Sequence, residues 1–304
     1  MLDGETGGYR VSERRLIGIV FNGRVEEARS LAQRIARGVG AASWLSPTDA
    51  LDAHAALVAG SRLIVTVGGD GTILRTARWA APCGVPMVGI NMGRVGFMTE
   101  LSPHEALERL PFYVEGQGWV EERTMVMARV VSGARGSEGE GFPVFHGLND
   151  AVVARGMASR LIRLSVRVNG ADLATYAADG IIVATPTGST GYALALGGPI
   201  LDPRLDCLVL KPIAAHLGLN APIVLPGDAV VDITVASEHP VVLSVDGFQD
   251  LMLGEGDGVR VEQSPYRARF LRASPPGHFY RTLFARLGLH PWSGPQGGTP
   301  PEEA

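Results

Sequence analysis

The chain has 304 residues, 46% hydrophobic and 19% charged, with a formal net charge of −4. That length allows about two domains with substantial cores, and the slight acidity leaves no basic footprint for a nucleic-acid partner. No apolar run reaches the roughly 18 residues of a membrane helix, no signal-peptide layout opens the chain, and two cysteines are too few for a disulfide framework.

In chain order, residues 1–15 read as a disordered polar leader. RLIGIVFN (15–22) reads as a buried strand, and VEEARSLAQRIARGVG (25–40) has helical spacing that ends on glycine. RLIVTVGGD (62–70) is a second buried strand. TILRTARWAA (72–81) follows as a helix whose start abuts a glycine turn. VPMVGINMG (85–93) is a third strand running into another glycine turn. Continuous apolar strands alternating with helices imply a parallel sheet covered on both faces. Residues 16–111 are therefore expected to form an open α/β, Rossmann-like domain.

After LPFYVEGQGW (110–119) the rhythm changes. TMVMARVVS (124–132), LIRLSVRVNG (161–170), GIIVATP (180–186), AVVDITVAS (229–237), PVVLSVDG (240–247) and DGVRVEQS (257–264) are short, β-branched and bounded by turn residues. Several alternate apolar and polar side chains, as half-buried strands do. Residues 112–273 are expected to be all-β, with GARGSEGEGFP (133–143) as a polar loop. Residues 274–290 carry a final amphipathic helix, FYRTLFARLGL, and 291–304 read as a disordered tail. Cys83 and Cys207 are expected to be small buried side chains in a reducing cytoplasm.

VGGDGT (67–72) lies at a strand's carboxyl end, where open α/β sheets collect ligands. Glycines there let the backbone take positive φ and approach a ligand closely. Amides at a helix entrance suit a phosphate, so Gly68, Gly69, Gly71 and Thr72 are candidate phosphate contacts. Asp70 would repel phosphate. Its useful roles are to orient a hydroxyl, to accept that hydroxyl's proton, or to touch a phosphate-bound metal, as transfer of a phosphoryl group to an alcohol needs. The plain alternative is a tight turn whose aspartate caps the helix. The pattern is neither a P-loop nor G-x-G-x-x-G.

A second cluster, DGIIVATPTGSTGYALALGGPIL (179–201), concentrates the hydroxyls of Thr185, Thr187, Ser189, Thr190 and Tyr192. These suit a ribose or pyrophosphate, unless they satisfy their own turn. GLNDAVVARG (147–156) adds Asn149 and Asp150, an amide and a carboxylate able to read an adenine edge and a sugar hydroxyl. Phe97, after Gly96, is placed to pack on a base.

In this order, GGDGTILRTAR, GINMGRVGF, LNDAVVARG, DGIIVATPTGSTGYALALGGPI, PIAAHL with APIVLP, and FYRTLFARLGL resemble the NAD kinase family, over about residues 16–289. The resemblance implies an N-terminal α/β domain, a C-terminal β-sandwich-like domain with the active site between them, and a C-terminal helix returning to the first domain. It implies transfer of a phosphoryl group from ATP, or polyphosphate, to the 2′-hydroxyl of the adenosine ribose of NAD. A divalent cation, magnesium, would be bound through ATP, with no metal ligand set from the protein, and the assembly would be a homo-dimer or tetramer.

By the same resemblance Asp70 faces the 2′-hydroxyl as orienter and general base, with Gly71 beside it and Arg75 near the phosphates. Asn149 and Asp150 bind the adenosine and ribose, Phe97 lines the adenine side, and Arg160 is a polar contact. Asp179 holds the nicotinamide carboxamide, Ala177 contributes backbone, and Thr190, Gly191, Tyr192, Ala193, Leu194 and Ala195 wrap the dinucleotide. Gln249 falls near a family ligand position, but Phe248 interrupts the usual Asp-Gly-Gln there. His216 matches a family histidine. Gly191 stands where alanine is usual, and Ala221 where arginine is common. Two rival readings are a GGDGT-type lipid kinase, which usually has Asn-Glu immediately after that motif, and a non-catalytic NAD-binding regulator.

Overall fold

The computed structural model describes residues 16–40, 42–93, 96–132, 142–157, 160–216 and 219–286. The leader (1–15), most of the 133–143 loop and the tail (291–304) lie outside the described residues.

The first half alternates strand and helix: β1 (Leu16–Phe21), α1 (Glu26–Gly38), β2 (Ser43–Pro47), a 3₁₀ segment (Thr48–His54) leading into α2 (Ala55–Ala59), β3 (Ser61–Gly68), α3 (Asp70–Ala80), β4 (Met87–Asn91) and α4 (Ala106–Val114). The strands pair in parallel in the order β2-β1-β3-β4. β1 and β3 are buried along almost their whole length, which is why they read as unbroken apolar runs. α1 turns Ala28, Leu31, Ala32 and Ile35 inward, one face of a 3.6-residue period.

Among the elements that escaped the sequence reading, two show why. β2 is SWLSP, with serines and a proline where a strand pattern is sought, yet its buried Trp44 indole donates to Ser61 Oγ at 2.9 Å. α4 contains Pro111, a helix-breaking signal.

The second half comprises β5 (Trp119–Ser132), β6 (Val144–Gly147), β7 (Asp150–Arg155), β8 (Ile162–Val168), β9 (Ala171–Ala178), β10 (Gly180–Ala184), a 3₁₀ turn (Gly188–Thr190), α5 (Tyr192–Ala195), β11 (Cys207–Ile213), β12 (Ile223–Pro226), β13 (Val231–Val235), β14 (Val241–Val245), β15 (Gln249–Leu253), β16 (Gly258–Arg272) and α6 (His278–Arg286). An antiparallel sheet runs β12-β11-β10-β7-β14-β15. It packs on the layer of β5, β8, β13 and β16 through one apolar core, in which Val153, Ile181, Leu208 and Leu243 meet Val126, Leu164, Ile233 and Val261. This is a β-sandwich.

β16 joins the two halves. Its first part pairs antiparallel with β13 and β5, and Phe270, near its end, pairs parallel with Met87 of β4. The α/β sheet and one sandwich layer are thus a single hydrogen-bonded ten-stranded sheet. The register of β16 against β5 slips between Gln263 and Arg267, where Pro265 has no N–H to give the ladder. Beyond the slip, Ala268, Phe270 and Leu271 enter the α/β core. The sequence reading stopped β5 and β16 short because Glu121, Glu122, Arg123, Arg267, Arg269 and Arg272 break the apolar alternation.

Gly118, just before β5, has φ +100°, and a Cβ there would collide with the Arg272 carbonyl oxygen and lie 3.3 Å from the Phe112 ring. Gly118→Ala should therefore destabilise the protein by about 2–3 kcal/mol, measured as a lower urea midpoint. An unchanged midpoint would mean that the strand entrance can relax around the added methyl.

Candidate functional site

The strand order 2-1-3-4 places a topological switch point between β1 and β3, the position at which open sheets bind ligands. A cavity of about 230 Å³ opens there. It is lined by Asn22, Gly23 and Arg24 after β1, Thr48 and Asp49 after β2, and Gly69, Gly71, Thr72 and Arg75 at the start of α3. A larger cavity of about 690 Å³, between α1 and α4, touches none of the candidate residues.

α3 begins at Asp70 with Gly69 as N-cap, two residues earlier than its sequence pattern indicated. The glycines act differently from expectation. Gly69 has φ −99°, and neither Gly68, Gly69 nor Gly71 is among the positive-φ glycines. What they provide is room. A Cβ on Gly69 or Gly71 would meet nothing within 4 Å, whereas one on Gly68 would collide with the buried Thr72 hydroxyl. Gly69 and Gly71 thus leave the amides of the helix entrance accessible, and Gly68 lets Thr72 fold back under the turn.

Asp70 is the first residue of α3, after the N-cap Gly69. Its carboxylate accepts the Phe97 N–H at 3.0 Å and the Met98 N–H at 3.3 Å, from the segment after β4. A Cβ on Gly96 would collide with Asp70 Oδ1, so glycine there leaves the carboxylate its place. Phe97 meets Phe279 of α6 with ring centroids 6.4 Å apart, so the C-terminal helix does return to the first half.

Leu148 packs in one cluster with Ile73 of α3 and Met98, which sets Asn149 and Asp150 beside the Asp70 turn. The backbone here is held by Asp246, whose carboxylate accepts the N–H groups of Leu148, Asn149 and Asp150 at 2.7, 2.8 and 3.1 Å. Asn149 Oδ1 is buried with no hydrogen-bond partner among the described residues, a spare acceptor beside the turn. Burial, with the Asp246 charge adding to it, pushes the Asp150 carboxyl up to about 7. Burial likewise pushes Asp246 up to about 6, against the three amides.

The hydroxyl-rich turn is largely structural. Thr185 donates to the Leu148 carbonyl and accepts the Gly188 N–H, and Ser189 donates to the Pro186 carbonyl and accepts from Leu201. Thr190 donates to the Thr187 carbonyl at 3.1 Å. These bonds clamp the turn onto the Asn149 segment and leave the exposed Tyr192 at its tip, with Gly191 and Ala195 exposed, Leu194 half-buried and Ala193 buried beneath. A Cβ on Gly191 would lie 3.3 Å from the Gly188 oxygen and 3.6 Å from Asn149 Nδ2, so the family's alanine would sit tightly there.

Other expected residues stand apart. Ala184 pairs with Asp150 but Gly180 pairs with Ala154, so Asp179 lies a full strand, roughly 15 Å, from the Asn149 group. There it pairs with Arg155 at 3.0 Å, while the Ala177 carbonyl accepts the N–H of the exposed His216. Arg160 is exposed between β7 and β8. Gln249 donates to the His146 carbonyl at 3.3 Å, a bond within the fold. Cys83 is half-buried and only Cys207 is buried; both are free. The sequence reading missed Asn22, Arg24 and Asp49, since the β1 and β2 ends have no glycine motif. It also missed Asp246, whose place under Asn149 depends on a contact 97 residues away in the chain.

Family models describe two stretches of the chain: the ATP-NAD kinase N-terminal domain matches residues 45–117 and the ATP-NAD kinase C-terminal domain residues 148–273. An NAD kinase of Dehalococcoides mccartyi is 40% identical over 274 residues, 89% of this chain and 95% of the relative. One of Chloroflexus aurantiacus is 43% identical, over 76% of this chain and 82% of its own. Among solved structures, an Archaeoglobus fulgidus NAD kinase in complex with ATP aligns with TM-score 0.67 and 28% identity, covering 90% of this chain and 98% of its own. Yeast NADH kinase complexed with NADH shares the fold, with TM-score 0.79, 22% identity and coverage of 93% and 90%.

Because Asp150 and Asp246 titrate higher folded than unfolded, the native state holds protons that the unfolded chain releases. Their contribution to stability is complete below about pH 4 and is lost as pH rises through about 6 to 7. Asp150→Asn should match the wild type in urea unfolding near pH 4 and exceed it by about 2 kcal/mol near pH 8. Equal stabilities at both pH values would show that the carboxyl is not held up by burial.

Proposed function

The chain belongs to the NAD kinase family, and from that premise we propose how its site phosphorylates NAD with ATP. The observation that carries the reading is Asp70, fixed at the entrance of α3 by two amides, with open glycines on both sides at the switch point. The triphosphate lies on the Gly69–Gly71 amides in the switch-point cavity, where Arg24 and Arg75 supply positive charge. The adenosine ribose of NAD lies between Asp70 and the Asn149–Asp150 segment, its 2′-hydroxyl directed at Asp70. Asp70 orients that hydroxyl and takes its proton as the γ-phosphoryl group arrives. A carboxylate is a weak base for an alcohol, so most of the acceleration comes from positioning and from charge stabilisation on the phosphoryl oxygens.

Phe97 supports the adenine side, and Thr190 to Ala195 wrap the dinucleotide. Arg160, Ala177 and Asp179 serve the nicotinamide end. Among the described residues no three His, Cys, Asp or Glu side chains gather as a metal set. Asp49 lines the cavity and Asp70 stands between its lining residues Gly69 and Gly71, which suits a hard cation carried on the nucleotide. Magnesium so bound would neutralise charge on the phosphate oxygens. Homo-oligomerisation is supported by exposed Leu173, Val224 and Met252 on the edge strands β9, β12 and β15. A reducing cytoplasm suits the two free cysteines, and no described helix is long and apolar enough to cross a membrane.

The test is an assay with NAD, Mg²⁺ and either ATP or polyphosphate, reading NADP through an NADP-specific dehydrogenase. NADP should form with ATP, and the polyphosphate lane decides whether that donor is also used. Asp70→Asn should bind NAD like the wild type while kcat falls about 10²–10⁴-fold. Near wild-type kcat would remove the general-base assignment, and NAD binding without turnover in the wild type would favour a regulator.

A further inference from the structure

The amides that hold Asp70 are themselves held. Beneath Phe97 and Met98 lies a group of buried charges on β5, β16 and the segment after β4: Glu100, Glu121, Arg123 and Arg272. Arg272 Nε donates to Glu121 at 2.7 Å, and its Nη1 donates to Glu100 at 3.2 Å and to the Met98 carbonyl at 2.9 Å. Glu100 in turn accepts the N–H groups of Ala273 and Ser274, each at 2.9 Å, and the Tyr113 hydroxyl at 3.3 Å. Arg123 donates to both Glu121 oxygens at 3.2 Å. Arg123 and Arg272 lie against the Phe270 ring, 5.0 and 4.9 Å from its centroid.

Met98 is therefore gripped twice, by Asp70 at its N–H and by Arg272 at its carbonyl. We propose that Arg272 is a positioning residue for phosphoryl transfer, fixing the Phe97–Met98 backbone so that its two amides aim the Asp70 carboxylate. This rests on the assignment of Asp70 as the base. The fork geometry of arginine is essential, because one guanidinium must reach Glu121, Glu100 and a carbonyl together, and a lysine point charge on its single stem cannot reproduce that set. Burial pulls the pKa of Arg123 down to about 10, against the favourable charge and hydrogen bonds of Glu121 and a smaller contribution from Asp70.

The experiment uses the full chain with Arg272→Lys and with the double change Arg272→Met, Glu100→Gln. The double change removes one charge of each sign and leaves the Arg123–Glu121 pair intact, which protects the fold. Two quantities are read: deuterium uptake across residues 96–100, and kcat alongside NAD affinity. Uptake should rise at least about tenfold, and kcat should fall about 10–100-fold with NAD affinity near wild type, the size expected for slight misplacement of a reacting group. Arg269→Met serves as control, since Arg269 pairs with Glu122 on the exposed side of the same strands and should change neither quantity. Unchanged uptake overturns the proposal, as does faster uptake with wild-type kcat, or a loss of NAD affinity equal to the loss of kcat. Should the wild type form no NADP, the kinase reading falls, and uptake alone still decides whether Arg272 grips the segment.

Discussion

The structure depends on taking a charged strand pair through a protein interior. β5 and β16 leave the sandwich, slip register at Pro265 and continue as part of the α/β sheet. Their side chains on the inner face past the slip include Glu121, Arg123 and Arg272, each less than a tenth exposed. Unpaired, any one of these would be costly to bury, and removing one partner of such a pair costs several kcal/mol. Here each carboxylate meets a guanidinium, and Glu100 closes the set. Such an arrangement tolerates little sliding, since a shift of one residue would turn every charge to the opposite face. The relative placement of the two halves, and so of the crevice between them, follows from that fixed register.

Within this frame the glycines of the site divide by what they exclude. Gly68 and Gly96 give way to side chains, Thr72 and Asp70, that must lie close to the backbone. Gly69 and Gly71 give way to nothing in the protein. A motif of one residue type thus carries two physical demands, close packing on the protein side and open space on the ligand side. Neither demand is for left-handed backbone, so the expectation drawn from φ was mistaken, while the open space at Gly69 and Gly71 leaves room for the close approach that was expected.

What was legible in the sequence was what depends on local order. The buried strands of the α/β half and helix α1 follow from periodicity, and Asp70 and Asn149 stand out by their company. Charged residues on β5 and β16 were unreadable as strand interior, because a charge normally marks solvent and only the folded chain brings Glu121 to Arg272, 151 residues apart. Among the hydroxyls of 185–190, those of Thr185, Ser189 and Thr190 bond to neighbouring carbonyls while that of Thr187 has no partner among the described residues, a distinction that composition does not carry. Asp179 likewise looked close to Thr185 in sequence, yet an intervening strand extends at more than 3 Å per residue and carries it away.

The departure from the family pattern at VDGFQD has a structural reading of its own. Asp246 and Gly247 both have positive φ, 52° and 72°, and Phe248 N–H closes the turn on the Val245 carbonyl, the backbone of a type I′ hairpin turn. Phe248 makes this a three-residue loop between the paired Val245 and Gln249, and its ring lies 5.0 Å from the Arg75 guanidinium on α3. One turn therefore touches both the Asn149–Asp150 segment and α3. Asp246 secures the Asn149–Asp150 backbone, and Phe248 meets the arginine that lines the switch-point cavity. A cation–π contact at a partly exposed site is worth about 0.5–1 kcal/mol, enough to bias the Arg75 side chain without pinning it. Phe248, which interrupts the Asp-Gly-Gln pattern, thus sets an aromatic face against the Arg75 guanidinium.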